Sequence, residues 1–234
     1  LHSGGKFERG ESYQVSGGLH GVGASCVNAL SDMLLAEVYQ NGYLYRQEYS
    51  KGKPQTKVQK VRALEKKEKQ HGTRITWHPD KEIFKNGVKL DDNMLLRRLR
   101  EMSFLNRGLT IIYKNAATGA DETFRYTGGL VDYIKYLSEG KQGLYPSEPI
   151  YGEAKAPLTS RNGDCVVQIA VSYSEEDDEN ILAFTNNINQ PDGGTHVSGL
   201  KTALTRVINT LARNNKVLKD NSPNLSGDDV REGL

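Results

Sequence analysis

A chain of 234 residues with 36% hydrophobic and 26% charged side chains can bury the core of one large domain or two small ones. No apolar run approaches the ~18 residues that a membrane-spanning helix requires, so no membrane partner is expected. A net charge of +2 argues for nucleic acid only if a local patch exists, and the five histidines and two cysteines show no metal-ligand spacing.

Along the chain, the first informative stretch is Ser16-Gly17-Gly18-Leu19-His20-Gly21-Val22-Gly23. It runs into Ala24–Leu30, which reads as a helix. Glycine admits positive φ and lets a ligand approach the backbone. A helix start adds unpaired N–H groups and a positive dipole end. Together these favour an anion, most naturally nucleotide phosphates; the ordinary alternative is a turn that only redirects the chain. A Walker loop needs a Lys-Ser/Thr ending that is absent here. A Rossmann turn needs a third glycine where Cys26 stands and a stronger preceding strand than Tyr13–Ser16.

Two segments, about 35–40 and 43–49, flank Asn41-Gly42 and predict a hairpin with a two-residue turn. The lysine-rich stretch 51–70 predicts an exposed hairpin extension or loop, solvated rather than functional. Arg74–Trp77 reads as a strand ended by Pro79. Asp91-Asp92 predicts the cap of a helix with Leu95, Leu99 and Met102 on one face, stopped by Asn106-Arg107-Gly108. Leu109–Tyr113 and Thr123–Tyr126 read as paired strands, followed by an amphipathic helix carrying Leu130, Ile134 and Leu137.

Residues 140–163, rich in glycine and proline, predict a domain boundary. Beyond it, Val167, Ile169, Val171 and Tyr173 alternate as a strand expected to pair with Ile181–Thr185 across the acidic loop Glu175–Glu179. A long helix follows Gly193-Gly194-Thr195, with Leu200, Ala203, Leu204, Val207, Ile208 and Leu211 on its apolar face. Opposite lie Thr202, Thr205, Arg206, Asn209 and Arg213. Five basic and no acidic residues lie from Lys201 to Lys219. Cys26 and Cys165 read as small buried hydrophobes of a reducing compartment. Strands and helices without βαβ regularity give an α+β fold.

The glycine phrase is one of several collinear motifs. Leu1–Phe7, Tyr13–Gly23, Val27–Ser31, His71-Gly72-Thr73, Leu99–Asn106, Tyr126–Gly129, Phe184–Ile188, Asp192–His196 and Gly227–Leu234 together closely resemble the DNA gyrase B family. The equivalent subunit of topoisomerase IV is similar. A non-topoisomerase ATPase of the same superfamily is a further alternative, against which Asp192–His196 and the closing motif argue.

The resemblance implies a gyrase/Hsp90-type ATP-binding domain over residues 1–143, lacking its N-terminal part. From 144 to 234 it implies the start of a transducer domain with a ribosomal-protein-S5-like fold. It also implies that Gly18, Leu19, His20, Gly21, Val22, Gly23 and Ala24 wrap ATP phosphates, joined by Lys6 in Gly4-Gly5-Lys6. Tyr13 would lie near the adenine and Thr73 on the floor of its pocket. For Lys6 alone a solvated lysine is the ordinary reading, as a packed aromatic is for Tyr13 and a plain strand residue for Thr73. Arg206 and Arg213 would face DNA; a solvated face is the plain alternative.

The parent enzyme implied is a cytoplasmic type II topoisomerase that supercoils DNA negatively with ATP and Mg2+. Its partners would be DNA, the gyrase A protein in an A2B2 heterotetramer, and a second copy of itself. The family takes its general base, Mg2+ ligand and adenine-reading aspartate from positions before Leu1, and a γ-phosphate-sensing lysine from beyond Leu234. The chain therefore reads as a fragment, without ATPase activity of its own. Gln40 stands where many family members carry an arginine used by coumarin-class inhibitors.

Overall fold

In the computed structural model, which describes residues 21–157, 164–219 and 221–234, Asn41 and Gly42 both take positive φ, 52° and 75°. Such a pair twists a two-residue turn to match its strands. It joins β1 (Ser31–Gln40) to β2 (Tyr43–Ser50), antiparallel, with Gln40 opposite Tyr43 and Leu34 opposite Tyr49. Helix α1 (Gly23–Ala29) precedes the hairpin; β3 (Lys53–Pro54), β4 (Gln59–Ala63) and β5 (Gly72–Pro79) follow. The sheet runs β3-β2-β1-β5, with β4 also on β2. Segment 51–70 is thus the hairpin extension its composition predicts, and β3 and β4 are fully exposed.

The strict register of β1 against β5 sets Leu34 opposite Trp77, Ala36 opposite Ile75 and Val38 opposite Thr73. Directly opposed residues share a face. Leu34 and Ala36 are buried on that face, while Ile75 and Trp77 remain half-exposed. The end of α1 is tied to the sheet by backbone bonds. Gly52 N–H donates to Asn28 O at 3.0 Å and Asp80 N–H to Leu30 O at 3.0 Å. Ser31 Oγ donates to Val27 O at 2.5 Å. Asp80 is buried, and the Glu82 N–H and Lys51 ammonium hold its carboxyl below the usual range.

These elements form one compact unit that ends at Leu90; a second begins at Asp91. This division by packing does not coincide with the composition shift at 140–163. The second unit opens with α2 (Asp92–Leu105), whose cap is Asp91: its carboxylate accepts from the Asn93 and Met94 N–H groups. Asp92 binds outward to the hairpin of β6 (Ile111–Lys114) and β7 (Asp121–Phe124). It accepts from Tyr113 OH at 2.5 Å, Asn115 Nδ2 at 2.7 Å and Thr118 Oγ1 at 2.6 Å. Those three donors hold its pKa down, Thr118 most.

Helix α3 (Leu130–Leu137) completes an aromatic core around Phe104, which is 1% exposed. Its ring stacks on Tyr126 at 3.7 Å and on Tyr133 at 4.8 Å between centroids. Next come β8 (Ile150–Pro157), β9 (Asp164–Val171), the short hairpin β10 (Phe184–Thr185) and β11 (Ile188–Asn189), α4 (Thr195–Asn214) and α5 (Gly227–Arg231). In Phe184–Ile188 the two asparagines form the turn, with φ of 47° and 67°. Asn187 also reaches α2, donating to Asn106 Oδ1 at 2.9 Å.

Two expectations are corrected. The partner of β9 is β8, in register from Ile150–Val171 to Pro157–Asp164, and Phe184–Thr185 pairs instead with β11. Strand β8 lacks an alternating apolar pattern because it is mostly exposed. Its order comes from the backbone ladder, with Pro157 at the strand end, where the missing N–H costs least. Cys26 and Cys165 lie in helix and strand as predicted, but both are exposed.

Candidate functional site

Of the glycine-loop residues singled out above, Gly4, Gly5, Lys6, Tyr13, Gly18, Leu19 and His20 lie outside the described residues. The loop's last part is described. Gly21 has φ of 70°, a conformation that side chains disfavour. Val22 is the N-cap of α1 and brings no capping oxygen. The helix then starts at Gly23, and Cys26 N–H donates to Val22 O at 2.8 Å. Among the described residues, nothing lies within 4 Å of the place a Cβ on Gly23 would occupy. Neither its φ nor its packing against the described residues requires a glycine there. Val22 and Gly23 are exposed and Ala24 is partly so, which makes this stretch accessible to a ligand.

Thr73 lies on β5, on the same sheet face as Ile75 and Trp77 and opposite Val38. That is the face on which Leu34 and Ala36 are buried, but Thr73 itself is exposed. Val38 is far along β1 from Ser31, to which α1 is joined. Among the described residues no hydrogen bond connects Thr73 with Gly21–Ala24. Gln40 is exposed at the end of the same strand β1. Described residues also include no group of three or more His, Cys, Asp or Glu side chains that could hold a metal ion, so no Mg2+ ligand set is derived from them.

In the second unit, α4 departs from the expected burial near its C-terminal end, while Leu200, Ala203, Leu204 and Ile208 are partly buried and Thr202 and Arg206 exposed as the periodicity predicts. Val207 and Leu211, on its apolar face, are half-exposed, whereas Asn209, on the polar face, is buried. The polar face is covered around Asn209 and Arg213 by the segment that follows the helix. Asn209 donates Nδ2–H to Leu225 O at 3.0 Å and accepts from Leu225 N–H at 2.8 Å, as a second strand would. Arg213 donates to Asn224 Oδ1 at 2.7 Å, Ser222 O at 2.8 Å and Lys219 O at 3.2 Å. The guanidinium thus fastens this strap to the helix. Capped by Ser226, α5 then delivers Arg231 to the same place.

The result is a groove of about 660 Å3 whose charged lining is Lys201, Arg206, Arg213 and Arg231, with Thr205 and Asn224 among its polar walls. Arg206 is exposed. Sequence periodicity identified Arg206 and Arg213 on this face but missed Lys201, Arg231 and Asn224. The last two are far away in sequence and arrive only through the strap. A groove so lined suits an extended polyanion: several cations, no carboxylate among the described lining residues, and an open mouth.

Known proteins resemble this chain in sequence and in fold. A profile of the DNA gyrase B family matches residues 129–234. The DNA gyrase B protein of Clostridium acetobutylicum is 45% identical over 234 residues, all of this chain and 35% of that protein. That of Thermotoga maritima is 42% identical, again over the whole chain and 36% of the relative. The 43K ATPase domain of Thermus thermophilus gyrase B, solved with an aminocoumarin, superposes with a TM-score of 0.77 at 33% identity. That match covers 91% of this chain and 56% of the other. A topoisomerase IV ATP-binding domain from Francisella tularensis, solved with a small-molecule inhibitor, gives a TM-score of 0.67 at 28% identity, covering 88% and 54%.

The fold is the α+β architecture of these ATPase domains. Along its whole length the chain is similar to a segment of DNA gyrase B proteins. It spans about a third of the length of the curated relatives.

Proposed function

We propose that this chain carries part of the nucleotide lid and part of the DNA-facing wall of a type II topoisomerase that supercoils DNA with ATP. The observation that supports the nucleotide half is a helix start without a side-chain cap, where no described residue fills the space over Gly23, within a phrase that resembles gyrase B. Amides of Gly18 to Ala24 would grip the phosphates, which needs no side-chain protonation and so holds across the physiological pH range. Lys6 would add a compact charge to the same phosphates, while His20 shapes the lid. Tyr13 and Thr73 would border the adenine, the threonine through a water-bridged hydroxyl.

Residues 1–143 would belong to the ATP-binding domain and 144–234 to the transducer. ATP would favour a closed pair of these proteins through its stronger contacts in the closed state. Mg2+ would supply charge neutralisation at the phosphates, its ligand coming from outside these 234 residues. Strand cleavage would belong to the gyrase A protein in an A2B2 assembly, working in the cytoplasm. Arg206 would meet DNA phosphates directly. Arg213 would shape the same wall through the strap, and such contacts are independent of sequence. The 234-residue chain alone would bind nucleotide weakly and not turn it over.

The test uses the full-length protein, its cleavage partner gyrase A, and relaxed plasmid. ATP-dependent negative supercoiling, absent when ATP is omitted, is the expected result. Decatenation without supercoiling would assign the chain to topoisomerase IV instead. Neither activity from a folded protein would contradict the reading.

A further inference from the structure

The cations of the α4 groove are not equally available. Lys201 and Arg231 converge on one carboxylate, Glu179: Lys201 Nζ is 2.5 Å from Oε1 and Arg231 Nε is 2.9 Å from Oε2. Arg231 also pairs with the fully exposed Asp228 at 2.8 Å. Arg213 is committed to the strap. For the side chain of Arg206, among the described residues, there is no hydrogen bond or ion pair. Glu179 comes from a different part of the unit, the acidic loop 175–179. That loop is moored elsewhere as well: Glu176 pairs with Lys141, and Glu175 accepts from Gln142 Nε2 at 2.9 Å. One carboxylate thus gives each of its oxygens to a groove cation, as a phosphodiester gives its two non-bridging oxygens.

We propose that Glu179 is an internal substitute for a DNA phosphate, holding Lys201 and Arg231 until a duplex enters the groove and takes them over. The inference rests on the DNA-facing reading of α4 and adds a gate to it. The exchange is feasible first at Lys201, which is 36% exposed beside a 28% exposed Glu179, whereas the Arg231 side chain is 13% exposed. Ion pairs of that kind contribute little net stability, so their loss is readily offset by a new partner. The gate has a signature in salt dependence. A cation already neutralised by Glu179 releases fewer DNA counterions when it binds, so affinity and salt slope are both lower than four groove cations would give. The backbone beside Glu179 is fixed, Asn180 N–H donating to Leu234 O at 2.8 Å, so the exchange needs only the Glu179 side chain to turn away. Lys201 and Arg231 hold the Glu179 carboxyl ionised, its pKa below the usual range with Lys201 the larger cause, so the substitute keeps its charge at physiological pH.

Anisotropy of a labelled duplex of about 20 base pairs, titrated with the 234-residue chain between about 50 and 200 mM salt, tests this. Glu179→Gln should bind roughly three- to tenfold tighter at the lower salt, and its slope of log K against log salt should steepen by about one. Should that variant fail to fold by circular dichroism, Lys201→Gln reads the exchange from the other side, with a slope shallower by nearly one. Arg206→Glu separates the two layers of the argument. If it weakens binding while Glu179→Gln and Lys201→Gln change neither affinity nor slope, the gate is wrong and the DNA-facing reading survives. If Arg206→Glu has no effect either, both fall.

Discussion

The β1–β2 hairpin and the α4 helix are equally clear as elements in the sequence, yet only the hairpin's surroundings are. In the hairpin, Asn41-Gly42 sets the turn, and the alternation of Leu34 and Ala36 sets the buried face. Each is a local cause, and local causes are visible in a short window. In α4 the 3.6-residue period gives the right helix and the right division of residues between faces. It does not say which face is covered. Asn209 and Arg213 recruit residues 219–225 by hydrogen bonds, and the polar side is covered around Asn209 while Thr202 and Arg206 stay exposed. Periodicity reports an element's type; its partner decides its burial.

That contrast can be tested by substitution. The largest effect is expected at Phe104, where tertiary stacking does what no local pattern shows. Phe104→Ala removes a ring packed on Tyr126 and Tyr133 and should destabilise the protein by about 3–5 kcal/mol in urea or thermal melts. Asn209→Leu comes next. If α4's polar side were an ordinary solvated face, the change would be neutral; with two backbone partners left unmade, a loss of about 2–3 kcal/mol is expected.

Acid titration probes the sites where carboxylates replace apolar packing. Asp92 has its folded pKa depressed by Thr118, Tyr113 and Asn115. A depressed carboxylate contributes stability that is complete above its unfolded value of about 3.9 and drains away as pH falls through the folded one. Melts between about pH 6 and pH 2 should show that acid loss, and Asp92→Asn should flatten it. The smallest structural effect is expected at Gln40, an exposed strand end. Gln40→Arg should leave stability unchanged and raise aminocoumarin affinity in the full-length protein. No gain in affinity would remove this position from inhibitor recognition.

Much of the first unit could be read directly. The strands, the turn and the exposed lysine-rich extension all follow from residue chemistry at short range. The second unit was legible at α2, whose Asp91 cap is a local signal, and at α3 and α4 as helices. What escaped was non-local. Strand β8 has no pattern of its own and is defined by β9. The groove needs Arg231 and Asn224, which reach α4 only through the strap. Exposure of Cys26 and Cys165 escaped for a related reason, since burial of a small apolar residue depends on what lies above it. Of the proposed nucleotide site, the motif was legible, and its described part is limited to Gly21–Ala24 and Thr73.

The most direct test of the account is the ATP affinity of the full-length protein carrying Gly23→Val, measured by calorimetry beside its thermal melt. The side chain would enter space that no described residue fills, so the melting temperature should hold. Affinity should drop roughly tenfold to a hundredfold, the value of one or two charge-assisted hydrogen bonds. Unchanged ATP affinity in a folded variant would show that the phosphates do not approach the backbone at Gly23, and the nucleotide reading would be contradicted.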